Sequence, residues 1–286
     1  MSTNKLGITN ISLRHLKSAL YVFEYKNVTR AANKLNRSQT AITKAIGELE
    51  TELDCKLFDR SSTGMLSTVH GEALAHRVRL AANEFDRAGQ AYEQFVPDGR
   101  SYQSIPVFSM DISYKRLAAF IALFQARDIR EAARVLGVTK AAVYNSVRQM
   151  EELLDLSLFE REPGGLAPTS FCGILARHTK LAFAEIRHAL EDIASLDGIT
   201  QGSVAIGTLP YTRTYLTPRA INRLLKAHPQ LNVSTQEGPY GVLQAGLRSG
   251  DLDVIVGAVR VSAPGSDMVT ETLIEDRLAV IARKGH

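Results

Sequence analysis

The chain has 286 residues, 45% hydrophobic and 22% charged, with a formal net charge of +4. That length calls for two or three domains, and the composition suits a globular protein rather than a disordered one. No apolar run approaches the ~20 residues of a membrane span, the N-terminus lacks a secretory apolar segment, and Cys55 and Cys172 form no metal or redox motif.

Taken in chain order, Leu13, Leu16, Leu20 and Phe23 fall at i, i+3, i+7 and i+10, one face of a helix. A short Ala-Ala helix follows over 30–35 and breaks at Asn36-Arg37, where Asn tolerates the left-handed conformation. A third helix opens on Ser38, a hydroxyl N-cap, and buries Ile42, Ile46, Leu49 and Leu53. "LFDRSSTGMLST" then reads as a Gly-containing hairpin, and 71–95 as a long amphipathic helix. A polar linker rich in Pro, Gly and Ser comes next.

The same order then returns, displaced by 101 residues, since "TRAANKLNRSQTAITKAIGELE" at 29–50 is matched by "REAARVLGVTKAAVYNSVRQME" at 130–151. Tyr114, Leu117, Ile121 and Phe124 repeat the first stripe, and a helix over 130–136 breaks at Gly137-Val138. Thr139 stands at the N-cap, and Val143, Val147, Met150 and Leu154 form the buried stripe. "LFEREPGGLAPT" and a second long helix over 173–196 complete the repeat. Basic charge is concentrated in both copies: 13–47 holds seven Lys/Arg against Glu24, and 114–148 holds seven against Asp128 and Glu131.

Beyond residue 198 the pattern changes. Short apolar runs at 203–209 and 253–258 read as buried parallel strands, with a weaker strand at 231–235 and helices over 217–227 and 240–249, a βαβαβ order. Runs at 268–274 and 277–283 read as two more strands. The expected division is a winged helix-turn-helix over 1–70, a long dimerisation helix over 71–95, a linker over 96–110, a second winged helix-turn-helix over 111–172, a second long helix over 173–198 and the α/β lobe over 199–286.

These residues resemble the LysR-type bacterial transcription regulators, through "TRAANKLNRSQTAITKAIGELETEL", "LFDR" and the Gly71-containing "GEAL" in the first copy. "GSVAIGTL", "AHPQLNV" and "LRSGDLDVIVGA" resemble the first lobe of the family's effector-binding domain, whose fold is like that of periplasmic binding proteins. The resemblance implies a mainly α N-terminal part followed by an α/β lobe, binding double-stranded DNA and a small-molecule effector. Two departures stand out: the helix-turn-helix is duplicated, and about 90 residues follow the second long helix (286 − 196), half of what two lobes would occupy. The expectation is a fragment truncated within the effector-binding domain.

The third helix of each copy carries the candidate DNA contacts. Gln39 suits bidentate pairing with adenine, and Thr40 or Thr43 a thymine methyl or a phosphate. Arg30, Arg37 and Lys44 suit phosphates, and the dipole at the Ser38 cap favours the same anion. In the second copy Lys140 and Arg148 suit phosphates and Asn145 suits adenine, while Tyr144 replaces Thr43. The rival reading makes these faces merely solvated and the second copy a retired domain kept for packing. Arg60 and Arg161 beside the hairpins are either phosphate ligands or helix caps.

The apolar stripes of the long helices (Leu74, Val78, Ala81, Phe85; Leu181, Ile186, Leu190, Ile193) suit the seam of a homodimer or tetramer. Effectors of open α/β sheets sit beyond the carboxyl ends of the strands, which selects Thr208, Leu209, Pro210, Ala258 and Val259. No nucleophile–base pair, metal set or phosphate-cradling loop is assembled, so no catalytic residue, metal or cofactor is expected. The expected function is a cytoplasmic, effector-responsive, DNA-binding regulator. The alternative is an interaction module that heterodimerises with other regulators and whose second helix-turn-helix does not read DNA.

Overall fold

The computed structural model describes residues 11–61, 64–96, 101–162, 165–259, 267–275, 282–283 and 285. Ser12 accepts a hydrogen bond from the N–H of His15 and starts α1 (Leu13–Tyr25), which ends where Lys26 turns left-handed at φ 49°. Asn27 caps α2 (Val28–Lys34), two residues earlier than the Ala-Ala pattern predicts. The tight turn places Asn36 at φ 51° and hands over to α3 (Gln39–Leu53). An antiparallel hairpin of β1 (Phe58–Ser61) and β2 (Gly64–Ser67) follows, in a register that pairs Phe58 with Ser67, and leads into α4 (Val69–Tyr92).

The second unit repeats this order as α5 (Tyr114–Ala126), α6 (Ile129–Leu136), α7 (Lys140–Leu154), β3 (Phe159–Glu162), β4 (Gly165–Pro168) and α8 (Ser170–Leu196). Here the tight turn uses Gly137 at φ 67° in place of a left-handed Asn. α1 packs on α2, α3 and α4, and α5 packs on α6, α7 and α8 in the same pattern. The third-helix Glu and the Leu-Phe pair of each copy interlock across this frame. Glu50 Oε1 accepts from the N–H groups of Leu57 (2.9 Å) and Phe58 (3.4 Å), and Glu151 Oε1 accepts from those of Leu158 (2.8 Å) and Phe159 (3.3 Å). Each carboxylate thereby satisfies backbone donors at the start of its hairpin that would otherwise be orphaned near the core.

Gly71 has a packing reason. A Cβ there would lie 2.1 Å from the carbonyl oxygen of Leu57, so the first turn of α4 sits directly on the chain entering the hairpin. The second unit carries Cys172 at the matching place, fully buried. Burial pushes its thiol up to about 12.

The long helices pack on each other within the chain, in antiparallel sense, and this changes the reading of their stripes. Leu74, Val78, Ala81, Phe85, Ile186 and Ile193 are all buried, and Leu181 and Leu190 are half-buried. The seam expected between copies of the chain is thus filled from inside one chain. The linker is also more than a polar tether. Ile105, Val107, Phe108, Met110 and Ile112 are each less than 10% exposed, and they join the two units into one continuous core. Tyr92 fastens the far end of α4 to the second unit: its ring lies 5.3 Å from Phe108 and 5.5 Å from Phe171, and its hydroxyl donates to the Leu154 carbonyl at the end of α7 (2.6 Å).

The C-terminal lobe is a three-stranded parallel sheet in the order β6-β5-β7, formed by β5 (Gly202–Thr208), β6 (Leu231–Glu237) and β7 (Val254–Val256). Between the strands run α9 (Pro210–Arg213), α10 (Leu216–Ala227) and α11 (Tyr240–Arg248). The sheet is parallel as expected, but its strands are not uniformly buried: only Gly207 and Thr208 of β5 reach full burial, and most of β6 is exposed. Among the described residues β6 and β7 each pair with β5 alone, so one side of each is an open edge. The run at 268–274 forms no strand. That at 277–283 lies largely outside the described residues. The lobe leans on α8, where Arg187 pairs with Asp253 (3.2 Å), Lys180 pairs with Asp251, and Arg177 donates to the Arg248 carbonyl (3.2 Å).

Candidate nucleic-acid interface

Both third helices begin in the same way. Ser38 Oγ accepts from the Ala41 N–H (3.1 Å), and Thr139 Oγ1 accepts from the Ala142 N–H (3.1 Å). These caps fix the first turn and leave its other N–H groups pointing outward. Ser38 also shares a hydrogen bond with Thr40 Oγ1 (3.0 Å), which orients the Thr40 side chain along the helix start.

The helix interiors face home. Ile42, Ile46 and Leu49 of α3, and Val143, Val147, Met150 and Leu154 of α7, are buried in their own units. That leaves Arg30, Gln39, Thr40, Thr43 and Lys44 exposed on the first unit, and Lys140, Tyr144, Asn145 and Arg148 exposed on the second. Lys44 lies 3.6 Å from Glu48, and Arg148 2.9 Å from Glu152, both as exposed i,i+4 pairs. Such pairs are worth a few tenths of a kcal/mol, so either cation is readily released to a phosphate.

Arg37 differs from the other candidates. It is half-buried, with Nη2 on Asp111 Oδ1 (2.8 Å) and Nη1 on the Ser18 hydroxyl (3.3 Å). Asp111, the last acidic residue of the linker, also takes Lys17 (2.6 Å), and its carbonyl accepts from Arg14 Nη2 (2.8 Å). Burial works to raise the Asp111 pKa, but Lys17 and Arg37 outweigh it and hold the carboxyl below its usual range. The linker therefore neutralises part of the first unit's basic charge, which the sequence pattern alone assigns to DNA. Arg161 on the second hairpin is exposed. The side chain of Arg60 lies outside the described residues.

At the carboxyl ends of the strands, Leu209 N–H and Thr212 Oγ1 both donate to the Val256 carbonyl (3.2 and 2.8 Å), which ties β5 to β7. Thr208 is 2% exposed, so its side chain is covered at this lip. Pro210, Ala258 and Val259 are exposed, and Leu209 is half-buried.

Two family models match the chain: the bacterial regulatory helix-turn-helix protein of the LysR family at residues 13–72 and again at 114–172, and the LysR substrate binding domain at 198–286. The transcriptional regulator GalR of Pseudomonas putida is 32% identical over 275 residues, which covers 96% of this chain and 67% of GalR. An alignment of that extent necessarily crosses both helix-turn-helix matches. PcaQ of Agrobacterium fabrum is 26% identical over 175 residues, covering 61% of this chain and 56% of PcaQ. Among solved structures, a full-length OxyR variant of Pseudomonas aeruginosa is similar at 21% identity with a TM-score of 0.37, covering 52% of this chain and 50% of that one.

The fold and the exposed polar helices define a helix-turn-helix regulator of transcription. The chain belongs to the LysR family.

Proposed function

We propose that the chain is a sequence-specific, effector-responsive regulator in which both units contact double-stranded DNA. What carries this reading is the pair of capped third helices, α3 and α7, each with its apolar side spent on its own unit and a basic, hydrogen-bonding side in solvent. In the first unit Gln39 and Thr43 read base edges while Arg30, Lys44 and the Ser38 and Thr40 turn hold phosphates. Arg37 serves instead to dock the unit on Asp111. In the second unit Asn145 and Tyr144 face the bases and Lys140 and Arg148 the backbone. A DNA partner places the protein in the cytoplasm, and no helix among the described residues is long and apolar enough to cross a membrane.

The effector is a small molecule held at the strand-end lip by Leu209, Pro210, Ala258 and Val259, with Thr208 buried beneath them in support. Self-association has to use surfaces other than the long-helix stripes, because those are occupied within the chain. A heterodimerising module would likewise have to use faces other than these stripes.

Salt titration of DNA binding tests this assignment. Affinity should fall steeply and linearly on a log–log scale, as counterion release requires. Gln39→Ala should weaken binding by about 5- to 150-fold, equivalent to ~1–3 kcal/mol, chiefly on sites that hold its preferred base. Binding indifferent to salt, or an unchanged preference in the variant, contradicts the assignment.

A further inference from the structure

We infer that one copy of this chain is its own twofold dimer, and that its two units read the two unlike half-sites of a single operator. The inference rests on the proposal that both units contact DNA, and adds how they are arranged.

Contacts across the α4–α8 seam follow a twofold pattern. In an isologous dimer, a contact of residue i with residue j on the partner is always accompanied by j with i. Here the same rule holds inside the chain, with the repeat offset in place of a second copy. Arg77 Nη1 lies 3.0 Å from Glu185 Oε2, and His178 Nδ1 lies 2.8 Å from Glu84 Oε2. These are one contact seen twice, because 178 − 77 and 185 − 84 both equal 101, the displacement of the duplicated segments. Identities at that displacement continue along both helices: Leu74 with Leu175, Ala75 with Ala176, Leu80 with Leu181, Ala81 with Ala182, and Ala88 with Ala189. The N-caps Thr68 and Thr169 keep it too, each donating its hydroxyl to a carbonyl before its hairpin, that of Lys56 (2.6 Å) or Ser157 (3.1 Å).

Geometry then sets what the arrangement presents. In an antiparallel pair the start of α4 lies beside the end of α8: His70 Nε2 meets Asp197 Oδ1 at 2.9 Å, while Phe95 stacks near Phe171 at 5.4 Å at the other end. The units therefore sit at opposite ends of the pair. With 24 residues, α4 is itself about 36 Å long at 1.5 Å per residue, comparable to one turn of DNA. The axis that exchanges two antiparallel helices runs perpendicular to both. Rotation about it preserves the direction of any vector component along the axis, so whatever part of one reading face points along the axis is matched on the same side by the other. The faces are not copies, because Gln39, Thr43 and Lys44 stand where the second unit has Lys140, Tyr144 and Asn145. A symmetric operator would waste one of them.

The test uses the whole 286-residue chain and duplexes that it selects from a random-sequence pool, with complex mass measured by sedimentation. The expected unit is one chain on one pair of unlike half-sites, centred about 10 bp apart on the geometry above. A selected site built from two such pairs supports the inference equally. Lys140→Ala with Tyr144→Ala should relax the base preference of one half only, and Gln39→Ala with Thr43→Ala that of the other. These residues are exposed, so melting temperatures should stay unchanged. Two chains on one pair of identical half-sites, or a single half-site per chain, overturns the inference while leaving DNA reading intact. Failure to select any sequence overturns the reading beneath it as well.

Discussion

Glu50 in the first unit and Glu151 in the second hold the same two backbone N–H groups, whereas Thr43 in one is Tyr144 in the other and Arg37 is Val138. The two units thus share the carboxylate clasp on the hairpin and the hydroxyl caps of the third and long helices, and few of the residues that face out. Buried positions are constrained by packing density and hydrogen-bond satisfaction, so a unit of this fold keeps them apolar and paired or fails to fold. Exposed positions carry no such cost and diverge with what they touch. The difference extends to the flanks: Asp111 draws Lys17 and Arg37 of the first unit into the linker, and the second unit has Ala118 and Val138 at the matching positions.

The largest effects are expected at the α4–α8 seam, which both units share. Phe85→Ala should cost about 3–5 kcal/mol, and both units should lose their structure in one thermal transition rather than two. Two separated transitions would show that the units fold independently. Tyr92→Phe removes only the hydroxyl, leaves the Leu154 carbonyl unpartnered, and should cost about 1–3 kcal/mol in the same melt.

Close approach in the first unit gives the next effect. Gly71→Ala should destabilise by about 1–3 kcal/mol, because the added carbon meets the Leu57 carbonyl. In the second unit, Cys172→Ala leaves a small void instead and should cost less. Equal penalties would mean that the two long helices start alike.

Acid sharpens the comparison further. The folded pKa of Asp111 lies below its ordinary value, so the folded state binds fewer protons. Its stabilisation is present above the unfolded aspartate range, about 4, and disappears as pH falls through the lower folded value. Glu84 behaves likewise: burial raises its pKa, but His178 and Arg87 outweigh that and the net shift is downward. In a titration of stability below pH 5, Asp111→Asn should flatten the acid limb. An unaltered limb would remove Asp111 from the account. The smallest effect belongs to the exposed Arg148–Glu152 pair, where Glu152→Gln should change stability by less than ~0.5 kcal/mol.

Much of the helical frame was legible because it rests on period and capping. The stripe of Val143, Val147, Met150 and Leu154 is buried as its spacing implies, and Ser38 and Thr139 cap the helices they precede. What could not be read were the partners of those frames. A stripe such as Leu74, Val78, Ala81 and Phe85 announces that it will be covered, not by what. The repeat offset of Glu84 and Glu185 is compatible with cover from the same chain or from another, and only the packing of α4 on α8 decides it. Asp111 was hidden for a related reason: an acid between two helical units acquires meaning only when the fold brings Lys17 and Arg37 to it. In the C-terminal lobe, apolar runs located β5 and β7, but hydrophobicity could not tell a central strand from an edge.

Pairing of the two units within one chain can be measured as a distance inside a dilute chain. Spin labels at Thr51→Cys in α3 and Glu152→Cys in α7, in a Cys55→Ser background, occupy exposed positions, while Cys172 is buried and its thiol stays protonated. Pulsed electron–electron double resonance should give one narrow distance that survives dilution with unlabelled protein. A distance that vanishes on dilution would show pairing between chains and contradict the account.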